Sequence, residues 1–383
     1  MRQLTISLVC LLVGSLVTQG QGLPPCGERP HTIDQPWVDG NLFCLEEVIN
    51  DTSAGELAFT ALASAPDDTL YAARPLAGQV LALNDTDGDG LPETPHVVAD
   101  GLTLPNGLVF HDGTLYISGG SYIYHLVGNR VEILVDDLPS GSNGFWTGGL
   151  TVGSDERLYV ATGAECDFCE PDDPLRGAVL SYSLDGSDQQ VVATGLRQPL
   201  DLAFMKDTLW TIDTARDNLF DTPDLDELNR VIPGAHFGFP YCIGRNNHVD
   251  LPSNNFDCAN ADAPALTFPT HSTPMGLVAY TSDILPSLQG ELLAVLNGSY
   301  NQAELHGFAL VAIAFTDDGT ITGYNILIPN RPDETTEPNK TWQDIQYSGA
   351  GFWPRRPLDV TVSTEGWVYI SVSGGEILAL RPR

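Results

Sequence analysis

The feature that most constrains this chain is a pattern repeated six times. A turn carrying Pro or Gly leads into an apolar run. A polar turn follows, then a second run that opens on a hydrophobic or aromatic pair. Phe59-Thr60-Ala61-Leu62 leads to Leu70-Tyr71, Pro105-Asn106-Gly107-Leu108 to Leu115-Tyr116, and Thr147-Gly148-Gly149-Leu150 to Leu158-Tyr159. Pro199-Leu200-Asp201-Leu202 leads to Leu209-Trp210, Pro274-Met275-Gly276-Leu277 to Leu292-Leu293, and Pro357-Leu358-Asp359-Val360 to Val368-Tyr369. The runs alternate and are rich in Val, Leu, Tyr and Thr, and no stretch sustains a helical period. Several short strands recurring at about 40 to 50 residues mark propeller blades. A blade cannot bury both faces alone, and ring closure supplies the missing neighbours. The reading is an all-β fold, a six-bladed β-propeller over 55–383, against a competing sandwich pair or solenoid. The wider spacing of the later units implies insertions near 211–270 and 295–350, where a rigid ring tends to carry function. The last unit reaches Arg383 after three strands. The N-terminal segment 21–54 is expected to close the ring, through a strand near Leu42 to Val48.

Charge excludes some partners. The chain has 17 Lys+Arg against 50 Asp+Glu, a formal charge of −33. Such a surface repels phosphate backbones, so nucleic acid is not an expected partner. Residues 1–20 read as a signal peptide: Arg2, an apolar run from Leu4 to Val17, then small Thr18 and Gly20 before Gln21. That run is short for a membrane span, so no membrane insertion is expected and the chain should be secreted or periplasmic. Of seven cysteines, Cys10 leaves with the signal. The other six lie in neighbouring pairs: Cys26/Cys44, Cys166/Cys169 and Cys242/Cys258. Six cysteines allow fifteen pairings, so proximity is the only guide. Cys166-x-x-Cys169 could instead be a redox pair or half a metal site. Asn50, Asn84, Asn297 and Asn339 stand in glycosylation sequons.

From about Phe59 onward, several stretches resemble the glucose/sorbosone dehydrogenase family, its sorbosone-dehydrogenase-like branch in particular. They are GQVLALNDTDGDGLPE (78–93), LPNGLVFHDGTLYIS (104–118), LYVATGAECDFCEPDDPLRGAVL (158–180) and ATGLRQPLDLAF (193–204). DELNRVIPGAHFGFPYC (226–242), PTHSTPMGL (269–277) and RRPLDV (355–360) continue the series. The resemblance implies a six-bladed propeller that oxidises a small-molecule sugar, alcohol or aldehyde with pyrroloquinoline quinone and Ca²⁺. Such a cofactor carries three carboxylates and a reactive carbonyl. It calls for cationic side chains, a Lewis acid and a base for the substrate hydroxyl proton.

The resemblance assigns candidates for each role. Arg197 matches a position whose Arg contacts the cofactor, and Arg356 an Arg at the start of the last inner strand. Both precede an inner strand and are candidate cofactor contacts, with a surface or inter-blade ion pair as the alternative for each. Gln198 stands where the family has Asn. Asp221 and Thr222 fall on the loop before the Asp226-Glu227-Leu228-Asn229 motif, which helps hold the cofactor's calcium. His271 is the candidate base, with a structural hydrogen-bonded histidine as the alternative. Arg216-Asp217 matches a loop where a buried salt bridge is an equal reading. The departures are pronounced. Phe145 and Trp146 occupy the usual base position, Ala58-Phe59 replaces an Ala-Arg, and Asn297-Gly298-Ser299-Tyr300-Asn301-Gln302 lacks the family's His and Arg. A second function therefore stays open: a catalytically inactive propeller that binds a glycan or protein through Phe145, Trp146 and Trp353.

A separate cation signal is Asp85-Thr86-Asp87-Gly88-Asp89-Gly90-Leu91-Pro92-Glu93. Oxygens at positions 1, 3, 5 and 9 with Gly at 6 follow a calcium-loop template, although His96 stands at position 12. Asp85, Asp87, Asp89 and Glu93 are the candidate ligands of a structural ion, on a loop read as joining two blades.

Overall fold

The computed structural model describes residues 23–35, 37–55, 57–139, 145–217, 225–243, 247–248, 256–300, 305–330 and 351–383. Asp221, Thr222, the proposed signal peptide and Asn339 lie outside them.

The six repeats fold as six sheets, each with four antiparallel strands; the short fifth strand of blade 3 pairs in parallel. Blade 1 is Ala61–Ser64, Leu70–Arg74, Gln79–Asn84 and Thr94–Ala99; blade 2 is Pro105–His111, Thr114–Gly119, Tyr122–Val127 and Arg130–Val135. Blade 3 is Thr147–Val152, Arg157–Thr162, Ala178–Ser183 and Gln190–Thr194, extended by Ala235–His236. Blade 4 is Pro199–Met205, Thr208–Asp213, Asp226–Val231 and Leu266–Phe268; blade 5 is Pro274–Tyr280, Glu291–Leu296, Ala309–Phe315 and Ile321–Ile328. Blade 6 is Pro357–Val362, Val368–Val372 and Glu376–Pro382, with Phe43–Asn50 as its outermost strand. Each inner strand touches the next, and the sixth touches the first. The described residues contain no α-helix.

Burial follows position in the blade. The middle strands Glu291–Leu296 and Ala309–Phe315 of blade 5 are apolar on both faces, because a neighbouring blade covers each one. The outermost strands Thr94–Ala99 and Arg130–Val135 are largely exposed, including the apolar Val97 and Ile133. Six apolar clusters fill the six seams between blades. Five inner strands have a register shift near their first residues. Four of those strands begin with Pro, whose missing N–H costs nothing at a strand start.

The chain ends meet in blade 6. Phe43–Asn50 pairs antiparallel with Glu376–Pro382, from Phe43 opposite Pro382 to Asn50 opposite Glu376. Glu46, 0 % exposed, takes a hydrogen bond from Arg29 Nη1 at 2.9 Å and one from Arg381 Nε at 2.8 Å. Arg29 also donates to the Pro382 carbonyl at 2.7 Å. One buried carboxylate thus pairs with two guanidiniums and ties both chain ends together. Disulfides join Cys26–Cys44, Cys166–Cys169 and Cys242–Cys258, the neighbouring pairs in each case. The Asn297 sequon is buried and its Nδ2 donates to the Pro357 carbonyl, so it cannot carry a glycan in this fold.

Candidate functional site at the head of the inner strands

Inner strands in a ring of this kind all start at the same end. The residues just before them therefore gather around one mouth of the axis. Phe145 and Trp146 precede the inner strand of blade 3, Arg197 and Gln198 that of blade 4, His271 that of blade 5, and Arg356 that of blade 6.

Arg197 is 3 % exposed. Its Nη2 donates to Asp167 Oδ1 at 2.8 Å and to Asp217 Oδ2 at 3.0 Å, and Nη1 donates to Thr214 Oγ1 at 3.0 Å. The guanidinium lies 5.0 Å from the centre of the Phe145 ring. Its backbone is held as well: Asp213 accepts from the N–H groups of Arg197 (2.9 Å) and Gln198 (2.6 Å). The Cys166–Cys169 disulfide closes the short loop that carries Asp167. On the same loop, Phe168 lies under Arg216, 4.6 Å from ring centre to guanidinium. Phe145 is only 7 % exposed, so it braces Arg197 and offers no surface to a partner. Trp146 and Trp353 are half-buried, and Trp353 packs edge-on against Phe308 at 5.0 Å.

Arg356 is half-buried. It donates to the carbonyls of Gly298 and of Ser299, the latter at 2.9 Å, and its guanidinium sits over Tyr300 (3.7 Å) and Phe308 (4.6 Å). Ser299 and Tyr300 belong to the segment that lacks the family's His and Arg. That segment holds Arg356 through carbonyls and a ring instead. His271 sits in a tight turn where both it (φ 62°) and Thr273 (φ 53°) adopt left-handed backbone. For a β-branched Thr this conformation is strained.

Sequence reasoning missed four residues that hold the mouth together: Asp167, Asp213, Asp226 and Asn297. Asp226 accepts from Ala215 N (2.8 Å) and from Thr273 N (2.7 Å). Asn297 donates its N–H to the Thr273 carbonyl (2.8 Å) and its Nδ2 to the Pro357 carbonyl (3.0 Å). A continuous run of bonds thus links the Arg197 loop, the His271 turn and the head of the blade 6 strand. The only signal for Asp226 was its place in the Asp-Glu-Leu-Asn motif.

Further along the axis the chemistry changes sign. A channel of about 390 Å³ is lined by all six inner strands and includes Asp201 and Asp359. Each carboxylate reaches into the neighbouring blade. Asp201 accepts from Leu277 N at 2.7 Å and Asp359 from Leu62 N at 2.6 Å. Gly149 and Gly276 leave room for them, since a Cβ at either would collide with the adjacent aspartate. Burial pushes the Asp201 carboxyl up to about 7. Burial and then the neighbouring Asp201 charge push Asp359 well above the usual carboxylate range.

The acidic loop 85–93 joins the third and outermost strands of blade 1. It is a hairpin within a blade, which corrects the expected link between two blades. Two consecutive strands with alternating apolar residues look alike in sequence whether or not they pair. By strand direction the loop lies at the opposite end from the arginines. Asp85, Asp87, Asp89 and Glu93 each bring an oxygen within 4.8 Å of the others. His31 Nε2 stands 3.8 Å from Asp89 Oδ2. Burial works upward on the Glu93 carboxyl, but hydrogen bonds from its own backbone, Thr86 and Thr94 outweigh it and hold the group below its usual range.

Together these features define a six-bladed propeller with arginine- and histidine-bearing loops at one end of its axis. The glucose/sorbosone dehydrogenase resemblance is matched by that family's own model, described as Glucose / Sorbosone dehydrogenase, over residues 126–312. A Borreliella burgdorferi protein named only as uncharacterized is 26% identical over 253 residues, spanning 60% of this chain and 66% of that protein. The Trichoderma reesei protein of carbohydrate-active enzyme family AA12, in its iodide structure, superposes with a TM-score of 0.67 at 17% identity, covering 96% of this chain and 100% of that one. The holo form of the pyranose dehydrogenase PQQ domain from Coprinopsis cinerea gives 0.68 at 15% identity, covering 88% and 95%. These likenesses show the six-bladed fold.

Proposed function

We propose that this protein is a secreted or periplasmic oxidoreductase of the quinone-cofactor type, acting on a sugar or related alcohol or aldehyde. The observation that carries the reading is the hydrogen-bonded run joining the Arg197, His271 and Arg356 loops at one end of the axis. The family match and the sugar-dehydrogenase neighbours support it, and three disulfides support an oxidising compartment.

The residues fit pyrroloquinoline quinone at the mouth and not in the channel. A trianion needs fixed cations, and both arginines are oriented by their partners at that end. The channel instead presents two carboxyls. Within the mouth the roles divide by exposure. Arg356, half-buried, would meet a cofactor carboxylate. Arg197, nearly inaccessible and paired with Asp167 and Asp217, would support the loop from beneath, with Gln198 beside it. Asp221 and Thr222 would contribute to a cofactor calcium. The bound quinone would supply the hydride acceptor. His271 would take the substrate hydroxyl proton on its imidazole, the task that Phe145 and Trp146 cannot perform. The 85–93 loop would hold a second, structural Ca²⁺ through Asp85, Asp87, Asp89 and Glu93, an oxygen-only set suited to that ion.

Reconstitution with the quinone and Ca²⁺, followed by dye reduction across a panel of aldoses and alcohols, tests the reading. Turnover that disappears in His271→Gln is expected. Full turnover in His271→Gln would remove the base assignment, and absence of turnover on every substrate would remove the enzyme.

A further inference from the structure

Asp226 occupies a position that the chemistry proposed above does not use. It begins the third strand of blade 4, is 1 % exposed, and accepts two main-chain N–H groups from two different mouth loops. One is Ala215, in the loop that also supplies Thr214 and Asp217 to Arg197. The other is Thr273, two residues after His271. Arg197 and Asp213 are the charged groups whose fields it feels.

The His271 turn needs such an anchor. Non-glycine residues in the left-handed region are strained and persist only where the surroundings over-determine them. Here two lie within three residues, and one is β-branched. Further bonds hold the turn locally and to blade 5. Ser272 N and Oγ donate to the Pro269 carbonyl, Gly298 N donates to the Ser272 carbonyl, and Asn297 N donates to the Thr273 carbonyl. The turn follows directly on Leu266–Phe268, the outermost strand of blade 4, which pairs with Asp226–Leu228. The Asp226 side chain adds a tie from that strand pair to the Thr273 N–H and to the Arg197 loop.

We propose that Asp226 is the positioning residue of the mouth: its two oxygens set the His271 turn against the Arg197 loop, so that base and cation keep a fixed relation across the seam between blades 4 and 5. This rests on the reading of His271 and Arg197 as site residues. Asparagine is nearly isosteric but can present only one acceptor oxygen, so Asp226→Asn releases one of the two loops. The loss of a buried acceptor is expected to weaken cofactor binding on the order of 10- to 100-fold. It should do so without changing the blade architecture.

The test uses the full-length mature protein with labelled histidine and no cofactor. His271 is assigned by its loss in His271→Gln, and its imidazole signal is followed by NMR beside those of the remote His96 and His111. Asp226→Asn should broaden or split the His271 signal and leave the other two in place. Thr273→Gly should leave the His271 signal near wild type, because Gly takes φ 53° without strain. In combination with Asp226→Asn it should restore a sharper signal, and also the fold if Asp226→Asn alone does not fold. Added quinone should then bind Asp226→Asn at least tenfold more weakly than wild type. An unchanged His271 signal in Asp226→Asn, or a double variant no better than the single, overturns the proposal. If the wild type binds no quinone while His271 still answers to Asp226, the functional reading falls and the positioning role stands.

Discussion

The ring-closing seam and the axial channel both bury carboxylates, and they hold them by opposite means. At the seam, Glu46 lies between Arg29 and Arg381, so its charge is matched by two cations. In the channel, Asp201 and Asp359 lie against main-chain N–H groups of the next blade, and burial pushes both carboxyls up. The seam offers its carboxylate two guanidinium partners, whereas burial in the channel favours a proton on the carboxyls there. In a protein of formal charge −33, Arg29 and Arg381 pair with Glu46 at the closing strand and Arg197 with Asp167 and Asp217 at the mouth. Among the described residues lining the channel there is no Lys or Arg.

The difference can be broken most forcefully at Glu46. Glu46→Ala strands two buried guanidiniums, and losing one partner of a buried ionic cluster costs about 3–5 kcal/mol. Chemical denaturation should show that loss, and a change under about 1 kcal/mol would mean that the seam does not depend on the pair. Next comes the metal. Calcium at a hundredfold excess over its Kd should raise stability by about 2.7 kcal/mol. That gain should vanish in Asp87→Asn combined with Asp89→Asn; a gain surviving in that variant would place the ion elsewhere.

The channel can be separated from the seam by pH. The Asp201 carboxyl is raised by burial to about 7 in the folded protein, from 3.8. Its contribution is therefore fully present below about pH 4 and is lost as pH rises through about 7. A tenfold difference in proton affinity between the folded and unfolded chain is worth about 1.4 kcal/mol. Stability measured from about pH 4.5 to 8 should fall in the wild type and fall less in Asp201→Asn. Equal slopes would show that the channel carboxyl titrates normally. Smallest of all is Arg130→Ala. Its partner Glu132 and Arg130 itself are largely exposed, with side chains 52% and 82% accessible. Exposed pairs contribute little, so Tm should not move measurably, and a clear drop would blur the contrast between buried and surface charge.

How much of this was legible in the sequence follows from the range of the interactions. The inner strands were readable because each repeats a local signal: a Pro or Thr at the head, then a small residue or Asp, then Leu or Val. The residues before them, Arg197, His271 and Arg356, could be placed at one end for the same reason. The contacts between blades were not readable. Phe145 looked like a surface aromatic, yet Arg197 of the next blade packs on its ring. Asp213 and Asp226 are two among 50 acidic residues, and nothing local marks them as acceptors for main-chain N–H groups. The 85–93 loop kept its ligand spacing but was assigned the wrong connection, because pairing between consecutive strands is a property of the folded sheet.

Quinone titration followed by calorimetry, in the presence of Ca²⁺, bears most directly on the claim that the mouth and not the channel is the binding end. The account predicts that wild type and Asp201→Asn bind with the same affinity, while Arg356→Met binds at least tenfold more weakly. Equal binding by Arg356→Met and wild type, or loss of binding in Asp201→Asn alone, would contradict it.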